Sequence, residues 1–280
     1  MLQSFSMSQD RNSSSIYDTS RTADRVLDIF EYLERFDAPQ TVTQIAEQLS
    51  LPKATAFRLV TALRERGYLA QDRPRGGYRL GARLLRLAVG ARRQIGVARV
   101  APPILRRLAQ ETGESCQASV REGDYALCVA REAAPDQKQW SLTGDVGTIF
   151  PLHATAVGKV LLAYASEANR QAYLAGPLAA STPHTVNAPD AVEAMLARVR
   201  EQGYARDDEE FRVGLCAVAA PVSGADGGVI AAVGVTMLRQ SKSESDETVA
   251  RIVPVLREAA RELSTELGAP AVSPSGKKNP

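Results

Sequence analysis

Cysteine is nearly missing from this chain. Cys116, Cys128 and Cys216 are the only three in 280 residues. They are widely spaced and include no CxxC pair, so neither a disulfide framework nor a zinc pattern is present. Long apolar runs are missing too: the longest strongly apolar stretch, Val229 to Leu238, is about half of what a membrane-crossing helix needs. The opening MLQSFSMSQDRNSSS has no apolar segment behind a positive start, so no secretory leader is expected. A reducing, cytoplasmic location without membrane association is the resulting expectation. Histidine is scarce, with only His153 and His184. His184 lies in a Ser-Thr-Pro-His-Thr loop, and His153 reads as satisfying backbone groups near a strand end. There is no nucleophile elbow, metal-spaced His/Cys/Asp cluster or phosphate-cradling glycine loop. No catalytic residue, metal ligand or cofactor is therefore assigned, and an enzyme is not expected.

Net charge is also close to absent, since 34 basic and 32 acidic side chains leave +2. Taken whole, that balance argues against a nucleic-acid partner, but it hides an asymmetry. Residues 21–95 carry 14 Lys/Arg and 8 Asp/Glu, net +6, whereas residues 96–268 carry 17 and 22, net −5. A basic first part and an acidic second part suggest two jobs, one of them facing an anion. Apolar residues make up 44% and charged residues 24%, so most of the chain can bury a core.

Residues 1–20, rich in Ser, Asn, Asp and Gln, read as a disordered arm, and residues 269–280 as a disordered tail. From Thr22, taken as an N-cap, a helical period puts Val26, Leu27, Phe30 and Leu33 on one stripe. A short helix over 43–49 follows. Then comes the break Ser50-Leu51-Pro52, with Pro52 expected at the first position of a helix that runs to about Arg66 and stops at Gly67. Strand, basic turn and strand follow over 68–80. Residues 81–95 form a linker helix with Leu84, Leu87, Ala88 and Ala91 on its apolar face. Beyond it, helices are expected over 100–112, 155–165, 191–202 and 248–267. Strands are expected over 115–120, 125–131, 140–142, 217–222 and 229–237. This mixture, with hairpin-like pairs, argues an α+β domain over 96–268 with a mostly antiparallel sheet.

Two short helices across a tight break, followed by a basic hairpin, is the order of a winged helix-turn-helix, placed here over 21–80. At 100° per residue, Ala56, Leu59, Val60 and Leu63 share the packing face of the third helix, while Ala54, Arg58, Thr61 and Glu65 point away. Lys53, Ala54, Thr55, Phe57 and Arg58 lie in the N-terminal half, the part of a recognition helix that approaches base edges. Arg58 and Lys53 suit guanine edges or phosphates, and Ala54 and Phe57 suit thymine methyls. Arg73 and Arg75 at the hairpin tip suit phosphate or minor-groove contact, with Arg21 and Arg25 adding charge near the first helix. Each arginine alone could be solvated, and Arg58 could pair with Glu65 or Asp28. The joint pattern of proline-started helix, basic wing and +6 segment favours double-stranded DNA.

The segment TVTQIAEQLSLPKATAFRLVTALRERGYLAQDRPRGGYRLGARLLRLA resembles the winged helix-turn-helix of IclR-type transcriptional regulators. PLHATAVGKVLLA, GYARDDEEFRVGLCAVAAPV and VIAAVGVTML resemble that family's effector-binding domain. The resemblance spans roughly residues 20 to 268. It implies a ligand-responsive regulator that binds a short palindromic operator as a homodimer or a dimer of dimers, with a GAF-like curved sheet as its second domain. It also implies a small carboxylic acid as effector, held by Leu142, Phe150, Ala156, Val157, Asp207, Ala217, Gly234 and Thr236. For Leu142, Phe150 and Val157 plain core packing is an equal reading, and Asp207 could belong to a solvated acidic turn. The alternative is a GAF-like binding module or an enzyme with no DNA role, which leaves the +6 segment unexplained.

Where the family commonly has a cysteine facing the ligand, a gapless match puts Ala217, and Cys216 falls one position early. On a strand that is the opposite face. With Gly234 and Thr236 in place of a serine pair, the cavity is expected to be roomy and apolar. Backbone N–H groups at the helix start after Thr155 are expected to be its anion anchor. Gly234→Leu is expected to fill the volume a larger acid needs and so to abolish the response to it, while leaving operator binding intact.

Overall fold

The computed structural model describes residues 10–74, 76–134, 144–239 and 242–270. They fall into two compact units, one reaching to Ala91 and the other starting at Arg92. Arg75, the 140–142 segment and the tail from 271 onward lie outside the described residues.

The first unit begins with α1 (Asp10–Glu34). The helix starts well before Thr22, so Thr22 is not its cap, and the part of the expected arm from Asp10 onward is helical. No proline or glycine interrupts this stretch, and polar composition alone does not stop a helix. The buried stripe is also rotated from the expected one. Ile29, Tyr32 and Leu33 are buried, Val26 and Phe30 are half-buried, and Leu27 is exposed. Next come α2 (Val42–Gln48), α3 (Lys53–Glu65), β1 (Leu69–Gln71), β2 (Tyr78–Leu80) and α4 (Ala82–Gln94). Thr41 caps α2 in a reciprocal capping box with Gln44. Pro52 is the N-cap of α3 rather than its first helical residue; its carbonyl accepts from the N–H groups of Thr55 and Ala56.

Both of these helices end in a Schellman turn. At the end of α3, Gly67 has φ +77°, and the N–H of Tyr68 reaches back to Leu63 O at 2.9 Å. At the end of α2 the left-handed position is held by Ser50, φ +50°, with Leu51 N donating to Ala46 O at 2.8 Å. The face predicted for α3 is the one that packs: Ala56, Leu59, Val60 and Leu63 are all buried, the last three in one cluster with Ile29, Leu33 and Ile45. β1 and β2 pair antiparallel, and a bridge from Gln40 to Tyr78 ties the hairpin to the loop before α2.

The second unit contains α5 (Gly96–Thr112), β3 (Ser115–Glu122), β4 (Tyr125–Glu132), β5 (Ile149–Pro151), α6 (Ala156–Ala163), α7 (Glu167–Leu174), α8 (Pro189–Gln202), β6 (Ala205–Asp208), β7 (Leu215–Ser223), β8 (Val229–Leu238) and α9 (Lys242–Glu266). The strands form one antiparallel sheet in the order β5-β4-β3-β8-β7-β6. One face carries α5 and α9, with Leu105, Leu108, Ile252 and Leu256 against Val218, Val233 and Val235. The other carries α6 and α8, with Leu152, Val160, Leu162 and Leu196 against Ala126, Ala219 and Ala232. Because both faces are covered, residues of both orientations are buried on the central strands, which explains the largely apolar run from Val229. The α+β class and the antiparallel sheet are as expected.

Ser50 carries a local strain that can be measured. A left-handed conformation is unfavourable for any residue with a Cβ, while glycine adopts it freely and loses only unfolded-state entropy. Ser50→Gly is therefore expected to raise the stability of the helix-turn-helix unit by about 0.5–1 kcal/mol. Thermal denaturation of wild type and variant checks this, and a lower melting temperature for the variant contradicts it.

Candidate functional site

Of the residues singled out for DNA, Lys53, Ala54, Phe57 and Arg58 stand exposed on α3, and Thr55 is half-buried beside them. Phe57 leaves 57% of its surface open, an unusual position for an aromatic ring on a packed helix. Arg58 makes no hydrogen bond or ion pair among the described residues, so the pairings with Glu65 and Asp28 are not formed. Arg73 is exposed in the β1–β2 turn, where Asp72 and Arg79 join across the hairpin at 2.7 Å. Arg21 is exposed and Arg25 half-buried on α1. Arg75 lies outside the described residues.

In the second unit, seven of the eight residues expected around a ligand line one cavity of about 330 Å³: Phe150, Ala156, Val157, Asp207, Ala217, Gly234 and Thr236. Leu142 falls outside the described residues. The pleat brings them together. Asp207 pairs with Ala217 and Ala217 with Thr236, a single row across β6, β7 and β8. The next row holds Ala219, Gly234 and Gln117 across β7, β8 and β3. Cys216, one position off the first row, packs in the core on the α5 and α9 side, and its Sγ donates to Asp208 Oδ1 at 3.0 Å.

α6 stands over these rows. Thr155 caps it, accepting from Gly158 N at 3.1 Å and donating to Pro151 O at 2.9 Å. The N–H groups of Ala156 and Val157 find no partner among the described residues, and both residues face the cavity. The helix sits very close to the sheet. A Cβ on Gly158 would meet Pro151 O at 2.5 Å, and a Cβ on Gly234 would meet Val157 Cγ1 at 2.8 Å. A side chain at position 234 therefore does more than fill the cavity: it has to displace Val157 at the start of α6. His153 does not face the cavity. It is buried, with Nδ1 2.7 Å from Tyr173 OH and Nε2 3.0 Å from Ala179 O, while Tyr173 OH also accepts from Leu152 N and His153 N. Burial holds the imidazole below its ordinary pKa, so it is neutral and anchors the turn into α6.

The cavity is more polar than expected. Gln117, Asp145, Thr148 and Arg212 line it as well, and Phe150 and Phe211 supply an edge-to-face aromatic wall, 5.6 Å between centroids. Behind it Lys159, fully buried, donates to Arg206 O at 2.7 Å and pairs with Glu210. Asp207 Oδ1 accepts from Glu210 N at 2.8 Å and from Phe211 N at 3.4 Å. Burial pushes the Asp207 carboxyl up to about 7, against the Lys159 charge and these N–H groups, which lower it.

Sequence reasoning missed Gln117, Phe211, Arg212 and the Lys159–Glu210 pair. Lys159 did leave a signal: it is the one charge in the otherwise apolar helix AVGKVLLA, and such a lysine is buried and paired. Phe211 and Arg212 left none, since they come from the irregular segment between β6 and β7.

Two family models match the chain: the IclR helix-turn-helix domain over residues 22–73, and the C-terminal domain of bacterial transcriptional regulator IclR over residues 90–265. The chain belongs to the IclR family of transcriptional regulators. Among its relatives, the glycerol operon regulatory protein of Streptomyces coelicolor is 35% identical over 81% of this chain and 89% of its own length. The HTH-type transcriptional regulator XynR of Escherichia coli is 31% identical over 90% and 98%. Both are named as regulators and not as enzymes. A crystal structure of an IclR homolog from Microbacterium hydrocarbonoxydans, complexed with 4-hydroxybenzoate, superposes with a TM-score of 0.76 at 30% identity, covering 88% of this regulator and 98% of that chain.

The Asp207 carboxyl makes the regulator's stability pH-dependent. Between about pH 4 and 7 the folded chain keeps a proton that the unfolded chain releases. The contribution of this group therefore falls as pH rises through that window and levels off above it. Asp207→Asn removes that slope while an amide oxygen still accepts from Glu210 N. Melting temperatures of wild type and variant should diverge from pH 5 to 8 in the variant's favour; parallel curves contradict the assignment.

Proposed function

We propose that this IclR-family regulator binds double-stranded operator DNA through α3 and the β1–β2 hairpin, as a cytoplasmic homodimer or dimer of dimers. A small carboxylic acid in the cavity beneath α6 controls that binding. The observation that carries the ligand half is the joint placement of Ala156 and Val157 N–H groups, Asp207 and Thr236 around one cavity. Unpaired N–H groups at a helix start attract a carboxylate without a basic side chain. The Phe150–Phe211 wall favours an acid with an aromatic or bulky apolar body, and a homolog of similar fold holds such an acid, 4-hydroxybenzoate. For DNA, the exposed Lys53, Ala54, Thr55, Phe57 and Arg58 form the base-reading surface. Arg73 and Arg75 in the wing, with Arg21 and Arg25, serve the phosphates.

Arg58→Ala is expected to weaken operator binding by about 1–3 kcal/mol and to relax specificity at one base position. Arg73→Ala is expected to weaken binding evenly across sequences and to lower the salt slope by about one unit. Gel-shift titrations at several salt concentrations distinguish the two, and affinities equal to wild type for both variants sink the interface.

The dimer rests on α4. None of its residues is buried, and Leu85, Leu87 and Val89 expose 70%, 54% and 52% of their surface, beside exposed Ala88 and Ala91 and half-buried Leu84. A second copy that covers this helix would also space two recognition helices by about 34 Å, one turn of DNA. Leu87→Glu should shift light scattering toward the monomer and weaken binding to a palindromic operator more than to a half-site. A wild type that is monomeric at micromolar concentration, with and without operator, removes the claim.

A further inference from the structure

Among the polar groups of the cavity that the reading above does not use, Gln117 is the one whose side chain is buried and carries an unpaired atom. Gln117 sits in the middle of β3, in the row Ala219–Gly234–Gln117, and is 6% exposed. Its side chain lines the cavity, and its Oε1 is buried without a hydrogen-bond partner. Native proteins rarely leave a buried carbonyl oxygen unmade, because it loses water without regaining a donor. Its cross-strand neighbour on β8 is Gly234, which has no side chain to cover it, and Val157 at the start of α6 stands over Gly234. The Gln117 amide therefore borders the cavity in the row that the start of α6 stands over, and a half-turn of the amide exchanges Oε1 with Nε2 at that border. The site offers donors to one part of a ligand and an acceptor to another.

We propose that Gln117 is a specificity-determining residue of this regulator, selecting acids that carry a hydroxyl hydrogen-bond donor in addition to the carboxylate. The inference rests on the carboxylic-acid reading of the cavity and deepens it. The carboxylate takes the N–H groups of Ala156 and Val157, the apolar body lies against Phe150 and Phe211, and the hydroxyl donates to Gln117 Oε1. An acid without the hydroxyl leaves Oε1 as orphaned as in the empty site. A methyl ether adds bulk and a second acceptor facing the first, which is worse. Discrimination of this kind, where a buried polar group goes unpaired with the wrong ligand, is stronger than that available from apolar contact alone.

The test is calorimetric titration of the full-length protein with benzoate, 3- and 4-hydroxybenzoate and the methyl ethers of both. Wild type should bind at least one hydroxy acid about tenfold more tightly than benzoate, equivalent to about 1.4 kcal/mol, and the matching ether more weakly than benzoate. Gln117→Leu and Gln117→Met should bring hydroxy acid and benzoate to within about threefold of each other, a difference of about 0.7 kcal/mol. Melting curves of both variants check folding, and the comparison of acid with ether in wild type needs no variant. Equal wild-type affinity for hydroxy acid, benzoate and ether overturns the proposal and leaves the carboxylic-acid reading standing. So does a preference that survives both Gln117 variants and disappears in Asp207→Asn, which would make Asp207 the acceptor. Absence of binding by every acid overturns the underlying reading, and this proposal with it.

Discussion

The start of α6 forms a wall of the cavity, and it lies closer to the sheet than side chains ordinarily permit. Two positions without a Cβ allow this: Gly158 against Pro151 O on the strand side, and Gly234 beneath Val157 on the sheet floor. Three attachments hold the helix there. The Thr155 hydroxyl closes the first turn and ties it to Pro151. The neutral His153, between Tyr173 and Ala179 O, fixes the approach to the helix. Lys159 pins the helix from behind by pairing with Glu210 and donating to Arg206 O. The result is a helix start whose N–H groups are held in place by the protein alone, so a carboxylate bound there as proposed would meet donors that need no rearrangement.

The same arrangement sets the charge balance. A buried lysine and a nearly buried glutamate offset each other, at a desolvation cost that only good pairing repays. Asp207 comes on top of that balance, and burial keeps its proton to near neutral pH. Around neutrality the cavity wall therefore does not carry the full negative charge that Asp207 and Glu210 would suggest from sequence. An acidic domain with a net charge of −5 over residues 96–268 can in this way hold an anion. Salt screens the repulsion at the solvated surface, and near neutral pH Asp207 in the cavity wall is only partly ionised.

Much of this was legible in the sequence where a period or a register carried it. The packing face of α3 follows from 100° per residue, and Ala56, Leu59, Val60 and Leu63 are all buried. The pleat put Ala217 and Thr236 on one face and Cys216 on the other. What could not be read has no period. β6 is four residues long and ends in two aspartates, so it looks like a turn; only its pairing with β7 makes it a strand. β5 and α7 are short, and α1 begins in polar sequence. Gln117 sits in a strand of small residues, where nothing local says which neighbours will fail to cover its amide. Glycine at 234 read as added space, whereas its role is to admit Val157, a contact between residues far apart in sequence.

α4 obeys a different constraint from the rest of the fold. Thirteen residues is near the length at which a helix in water is marginal even with strong formers, and most helical stability comes from a buried face. α4 buries none of its residues, and it carries apolar side chains on more than one side: Leu87, Ala88 and Ala91 along one stripe, Leu85 and Val89 along another. A single covering surface cannot desolvate both stripes unless it wraps around the helix, as a second copy of α4 crossing it would in company with a neighbouring element. Arginines at 83, 86, 92 and 93 occupy the remaining positions and supply much of the +6 charge of residues 21–95. In the proposed dimer the apolar positions are the ones a second copy would cover, and the arginines are the ones left to solvent or to DNA. At 100° per residue Arg83, Arg86 and Arg93 share a side away from Leu84, Leu87, Ala88 and Ala91, while Arg92 falls between the two apolar stripes, so a covering surface has to leave room for one guanidinium.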